Sequence, residues 1–283
     1  MTVNCKYHEC DYEKAVLELL QNQGWQYTGG YDIHRKNDEI LLKDDLQQYL
    51  TARYGIFSPD ELGRIAGYVV GGEHQSLYNN MKTAYTRLMR GYTLHRDDDT
   101  TLFIEFFDME DGHCSNNIFR AVNQFEVDGY KKRIPDIVLF INGIPVSVFE
   151  LKNPADEDVS IADAYTQTHV RYCKDIPDLM RFDFINVISD GANTKYGSLF
   201  SDYEFYFVWK STDGKDYAAD AQGIVLTHTL IAGLFAPATL LRVLHDYIYF
   251  PDNSSTNLVI LPKKYADDFK EFARKNPKPC PIL

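Results

Sequence analysis

Apolar positions recur at helical spacing through the first third of the chain and in short extended runs after it. Over 12–23, Ala15, Val16, Leu19 and Leu20 predict an amphipathic helix ended by Gly24. Trp25 and Tyr27 open an extended segment. Helices are predicted over 43–54, 58–68 and 75–90, the last with Leu77, Met81, Ala84, Tyr85 and Leu88 on one side. Near Thr100 the period changes. Runs at 102–107, 117–127, 134–140 and 144–151 read as strands, the last two joined as a hairpin across Asn142-Gly143. A helix starts after Ser160, with Asp163 as its capping-box partner. Strands at 184–188 and 203–209 and helices at 238–249 and 263–275 complete the pattern.

Composition narrows the class. The 283 residues, 45% hydrophobic, suffice for one large globular domain or two small ones. No apolar run has the length of a membrane span and no signal-peptide pattern opens the chain, so a cytoplasmic protein is expected. Five cysteines, an odd count without framework spacing, read as free thiols. Cys5, His8 and Cys10 resemble half a zinc site, but no second ligand pair follows. The net charge of −12 argues against binding nucleic acid through a basic patch. It leaves room for an enzyme whose site gathers acids around a cation.

The chemistry concentrates in the hairpin. Ile134-Pro135-Asp136 opens one apolar strand and Glu150-Leu151-Lys152 closes the next. Period 2 puts Glu150 and Lys152 on one face. Two neighbouring carboxylates repel unless a cation lies between them, and oxygen ligands suit Mg²⁺ or Mn²⁺. A lysine beside them can orient water and offset charge on a phosphate. At strand ends, these side chains are expected in a wet cleft; the plain alternative is three solvated charges. Register decides whether Asp136 joins. A regular two-residue Asn142-Gly143 turn puts Asp136 opposite Phe149, turned away from Glu150. A three-residue turn with Gly143 as a bulge puts Asp136 opposite Val148 and diagonal to Glu150, roughly 7–8 Å away. A shared ion requires an irregular hairpin.

At these residues the chain resembles the N-terminal nuclease region of type I restriction enzyme motor subunits. The resemblance is carried by Asn123-Gln124-Phe125, by the hairpin from Ile134 to Pro145, and by Val148-Phe149-Glu150-Leu151-Lys152-Asn153-Pro154. It extends through Gln167, Tyr172 and Asp175-Ile176-Pro177, and outward to Tyr12-Glu13, Gly24-Trp25, Asp190-Gly191-Ala192 and Trp209. It implies an α/β fold with a PD-(D/E)xK restriction-endonuclease-like core, a mixed β-sheet flanked by helices, and a helical N-terminal insertion. The implied layout is a single endonuclease domain: a core over about 100–210 plus the helix 12–23, an insertion over about 40–95, and helices over 237–275 leading to a motor domain outside this chain.

The same resemblance implies Mg²⁺-dependent (or Mn²⁺-dependent) cleavage of double-stranded DNA after translocation, in a complex with methyltransferase and specificity subunits. It implies Asp136, Glu150 and the Leu151 carbonyl as metal ligands and Lys152 as the catalytic lysine. Glu13 matches a first-helix glutamate near the metal, or is a solvated helix charge. Two positions depart from the pattern. The family often has Arg before Pro-Asp, where this chain has Ile134 with Arg133 one step earlier. Its downstream Gln and Tyr stand four apart, whereas Gln167 and Tyr172 stand five apart, about 140° around an ideal α-helix. Either the helix is distorted there or only one residue keeps its role, and Tyr172 also reads as core. No Gly-Lys-Ser/Thr phosphate loop is present, so ATP use is expected only in the motor. A free-standing nuclease of repair or defence, and a catalytically silent docking module of the same fold, remain open readings.

Overall fold

The computed structural model describes residues 7–72, 76–110, 114–152, 159–212, 223–250 and 259–260, with side chains from residue 10 through 250. Helix α1 (Tyr7–Asn22) leads into β1 (Gln26–Gly29). Helices α2 (Lys43–Tyr54), α3 (Pro59–Val70) and α4 (Leu77–Arg90) follow, then the ribbon β2 (Tyr92–His95) and β3 (Thr101–Ile104). The chain returns through β4 (Phe119–Asn123), β5 (Ile137–Ile141) and β6 (Ile144–Leu151). Next come α5 (Ile161–Thr166), a π-helical turn over Gln167–Tyr172, and the short helices α6 (Cys173–Asp175) and α7 (Pro177–Met180). Strands β7 (Asn186–Ser189) and β8 (Thr194–Gly197) precede α8 (Ile224–Gly233) and α9 (Pro237–Asp246).

The main sheet has six strands in the order β1-β4-β5-β6-β7-β8. It is mixed: β1 runs parallel to β4 and β6 parallel to β7, and the other neighbours are antiparallel. Every residue of β5 and β6 is buried, which explains why both read as near-continuous apolar runs. Alternation along β6 splits its side chains between two helical layers. Phe149 packs on Phe235, at 4.9 Å between ring centres, while Glu150 turns toward the π-helical turn. Helix α1 is tied to the first layer: the Tyr12 hydroxyl bonds Ser189 Oγ at 2.7 Å and Thr227 Oγ1 at 2.8 Å. Trp25 Nε1 donates to the Phe235 carbonyl at 2.9 Å.

The predicted boundaries hold for α2 and β6, and closely for α3 with its Ser58–Glu61 capping box. Two expected strands change, and a strand and a helix appear that the sequence pattern did not show. The run at 102–107 is strand only over Thr101–Ile104 and pairs with β2 in a separate two-stranded ribbon. Its partner β2 is only four residues long, with Tyr92 and Leu94 alternating with the exposed Thr93 and His95. The expected strand at 203–209 is a 3₁₀ turn over Tyr203–Phe205 followed by a single bridge between Phe207 and Tyr196. Its aromatics suit a strand, but they pack around Tyr165 instead, with Tyr203 and Tyr206 edge-on to that ring. Helix α8 has apolar residues all round and therefore no stripe to read. The expected helix at 263–275 lies outside the described residues.

A further correction concerns the cysteines. Cys10 is disulfide-bonded, so free thiols are confirmed only for Cys114 and Cys173. That also removes Cys10 from the half zinc site, whose Cys5 and His8 side chains are outside the description. Among the described residues, no single helix is long and apolar enough to cross a membrane.

Candidate active site

The hairpin turn is a regular two-residue one. Asn142 and Gly143 both have positive φ, +52° and +77°, and Ile141 pairs with Ile144. Asn142 is fully buried; its amide donates to the Phe106 carbonyl and to Asn117 Oδ1, both at 2.8 Å. Gly143 abuts the start of α2, and a Cβ there would lie 2.1 Å from the Leu42 carbonyl oxygen. The expected three-residue turn is therefore absent, and the irregularity sits inside the strand. Phe140 pairs with Pro145 but Leu139 with Ser147, so Val146 is an extra residue in β6. Pro145 has no N–H to give a ladder, which helps to place the bulge beside it.

The bulge settles the face. Beyond it Val138 pairs with Val148 and Ile137 with Phe149. Continuing that register sets Asp136 opposite Glu150, and directly opposed residues share a face. Asp136 Oδ2 accepts from the Leu151 N–H at 2.7 Å. Burial first, then the Glu150 charge, pushes the Asp136 carboxyl well above the usual carboxylate range. Leu151 N–H and Lys152 pull the other way, and Glu13 adds to the rise.

Glu150 is 1% exposed and pairs with Lys152, Oε1 to Nζ at 2.5 Å. Lys152 Nζ also donates to Gln167 Oε1 at 2.9 Å. Glu150 is thus buried and the Lys152 side chain only 12% exposed, against the expectation of a wet cleft. Gln167 Nε2 donates to the Tyr172 hydroxyl at 2.8 Å, and that hydroxyl donates to the Ile134 carbonyl at 3.4 Å. Burial, then Glu150, raises the Tyr172 pKa. The two residues meet because the turn between them is π-helical, where bonding from residue i to i+5 widens each turn. Five-residue spacing then does what four does in an α-helix.

Glu13 also comes to this end of the sheet. It is 8% exposed; Oε1 accepts from Asn123 Nδ2 at 2.5 Å and Oε2 from Gln124 Nε2 at 2.8 Å. It is not a solvated helix charge. Arg133, the displaced arginine, instead bonds Asp175 through Nε at 2.8 Å. Asn123 and Gln124 had no assigned chemistry in the sequence, and their signal was faint: a polar pair ending an apolar strand.

A mixed six-stranded sheet with an acid pair and a lysine converging at one end of its central strands defines a nuclease-like α/β core. The family model described as the type I restriction enzyme R protein N terminus matches residues 6–205, and the chain belongs to that family. Among curated relatives, the HindI endonuclease subunit of Haemophilus influenzae is 29% identical over 258 residues, covering 87% of this chain and 24% of the relative. The putative MjaIXP endonuclease subunit of Methanocaldococcus jannaschii is 30% identical over 263 residues, covering 83% and 25%. The EcoprrI endonuclease subunit of Escherichia coli is 24% identical over 267 residues, covering 91% and 79%. The chain spans about a quarter of the length of the first two relatives.

Among the described residues no three His, Cys, Asp or Glu side chains gather closely enough to cage a metal ion. The donor set still fits Mg²⁺, which is commonly bound by one or two carboxylates and keeps several waters. Asp136 and Glu150 stand opposite each other with Lys152 paired to Glu150, and a divalent ion would relieve the crowding of the two acids.

Proposed function

We propose that the chain is a single Mg²⁺-dependent endonuclease domain that hydrolyses phosphodiester bonds in double-stranded DNA. Its setting would be a type I restriction-modification complex, with methyltransferase and specificity subunits and an ATP-driven motor segment outside this chain. The observation that supports this most is the bulge in β6, which puts Asp136 opposite Glu150 with Lys152 beside them. Asp136, Glu150 and the Leu151 carbonyl would hold the ion. When bound, Mg²⁺ polarises the phosphate and lowers the pKa of a coordinated water. The Leu151 N–H fixes the orientation of Asp136. Gln167, itself held by Tyr172, fixes the position of the Lys152 ammonium. From there Lys152 can orient the attacking water and offset charge developing on the phosphate.

Calorimetry with Mn²⁺ and cleavage by the reconstituted complex test the reading. Asp136→Asn should lose Mn²⁺ binding and cleavage together. Lys152→Met should keep Mn²⁺ binding and lose cleavage. It should also melt earlier without metal, since removing one partner of a buried ion pair costs about 3–5 kcal/mol. A wild-type chain that takes up no Mn²⁺ would favour the docking module.

A further inference from the structure

Between β4 and β5 the chain leaves the sheet as a short arm, Asp128-Gly129-Tyr130-Lys131-Lys132. A bridge closes its base: Val127 and Arg133 each donate an N–H to the other's carbonyl, at 2.8 and 2.9 Å. Arg133 lies three residues before Asp136. The arm is braced along its length. Arg133 Nε bonds Asp175 at 2.8 Å, the Lys131 N–H donates to the Asp175 carbonyl at 3.4 Å, and the Asp128 N–H to the Asn37 carbonyl at 3.0 Å. Gly129 is pressed so close to α6 that a Cβ on it would lie 2.3 Å from the Asp175 carbonyl oxygen. The arm is therefore fixed to the helical segment that carries Gln167 and Tyr172.

What this braced arm turns outward is a ring and cations. Tyr130, at its tip, is 84% exposed. Lys132 pairs with Glu126 at 2.5 Å, and Arg133 is taken up by Asp175. Lys131 is exposed and has no ion-pair partner among the described residues; the same holds for Arg171 and Lys174 on the adjoining turn. Asp178, a turn further on, pairs with Arg181. Over 126–133 and 171–175 together, five cations stand against three acids, in a chain with 29 cations against 41 acids. The net charge of −12 thus hides a basic edge beside Asp136.

We infer that the arm and the adjoining turn form a phosphate-contacting edge of the active site. Lys131 and Lys174 hold the backbone of duplex DNA beside the bond to be cut, and the Tyr130 ring lies against the sugar of the same strand. The inference rests on the nuclease reading and states where its substrate is steadied. Lysines that neutralise phosphates fix register and orientation without reading sequence. Lys131 is five residues from Asp136, a reach of at most about 18 Å, or about five nucleotides along one strand. Because the arm is braced, a contact at Lys131 sets where the strand passes Asp136. Two such contacts are too few to keep the chain on DNA at physiological salt, so they place the strand once other subunits have brought it.

The test is binding of a fluorescent DNA duplex by the purified chain, read by anisotropy over a low-salt series without Mg²⁺, with thermal melting alongside. Lys131→Gln and Lys174→Gln should each flatten the slope of log affinity against log salt by about 1, and the double variant by about 2. Melting temperatures should hold, since both side chains are exposed and unpaired. Tyr130→Ala should weaken binding several-fold with the slope unchanged, because the ring carries no charge. Lys210→Gln, at an exposed lysine beyond the β8 edge, should bind as wild type. In the reconstituted complex the double variant should cut more slowly, while its Mn²⁺ affinity by calorimetry stays at the wild-type value. Wild-type slopes in both lysine variants, or an equal loss in Lys210→Gln, would overturn the arm and leave the nuclease reading to the Mn²⁺ and cleavage measurements. A wild-type chain that binds no duplex at the lowest salt would also overturn it. A double variant that binds DNA normally but fails to assemble with the other subunits would make the arm a protein-docking surface instead.

Discussion

At the scale of single residues, Asp183 is the clearest case of a charge the fold works against. It is fully buried, and its carboxyl is pushed up to about 7 by that burial. The Val148 N–H, which falls next to the bulge, donates to it at 2.8 Å, and Asn186 Nδ2 donates at 2.7 Å. Asn186 Oδ1 in turn accepts from Thr168 in the π-helical turn and from Tyr206. The folded pKa lies above the ordinary aspartate value, so between about pH 4 and pH 7 the folded chain binds more protons than the unfolded one. Stability should therefore fall as pH rises through that window and flatten above it. Asp183→Asn should reduce the slope, with Asp136, which is shifted in the same direction, supplying part of what remains; the measurement is melting temperature against pH at constant ionic strength. A variant with the wild-type slope would assign the effect to other groups. Nothing at position 183 in the sequence announces this; an aspartate before a strand is ordinarily a turn residue.

At the scale of elements, what was legible followed from how local the cause is. The end of α2 at Gly55, the α3 cap, the α5 capping box and the extent of β6 are written in adjacent residues. The need for an irregular hairpin was also legible, because Asp136 and Glu150 could share a face in no other way. Its position was not: the bulge at Val146 depends on Pro145 and on the Asp183 carboxylate taking up the Val148 N–H, contacts from distant residues. The π-helical turn was half legible. Gln167 and Tyr172 stand one residue too far apart for an α-helix, which pointed to distortion without proving it. Deleting Val170, which is 56% exposed, should return the segment to α-helix and keep Gln167 against Tyr172. The expected outcome is an unchanged or slightly raised melting temperature and retained cleavage in the assembled enzyme. Loss of the fold would show that the wide turn is needed for Thr168 to reach Asn186.

At the scale of the whole molecule, net charge of −12 and the small size relative to its relatives shape what the chain does alone. Most non-specific affinity for DNA comes from Lys and Arg neutralising phosphates. The purified chain should therefore cut linear duplex DNA little or not at all at physiological salt, even with Mg²⁺. Robust nicking in a plasmid assay would favour a self-sufficient nuclease over a subunit that relies on others for grip. The tie between the two ends of the described chain has a separate consequence, for synthesis. Tyr12 is fastened to Thr227, and Trp25 to Phe235. Domains fold as units, and chains emerge from the ribosome N-terminus first. The first helix, which brings Glu13, is among the earliest segments made, but it cannot be locked down until α8 has followed some two hundred residues later. A growing chain thus carries Glu13, Asp136 and Glu150 before the segment that fastens the first helix has been made.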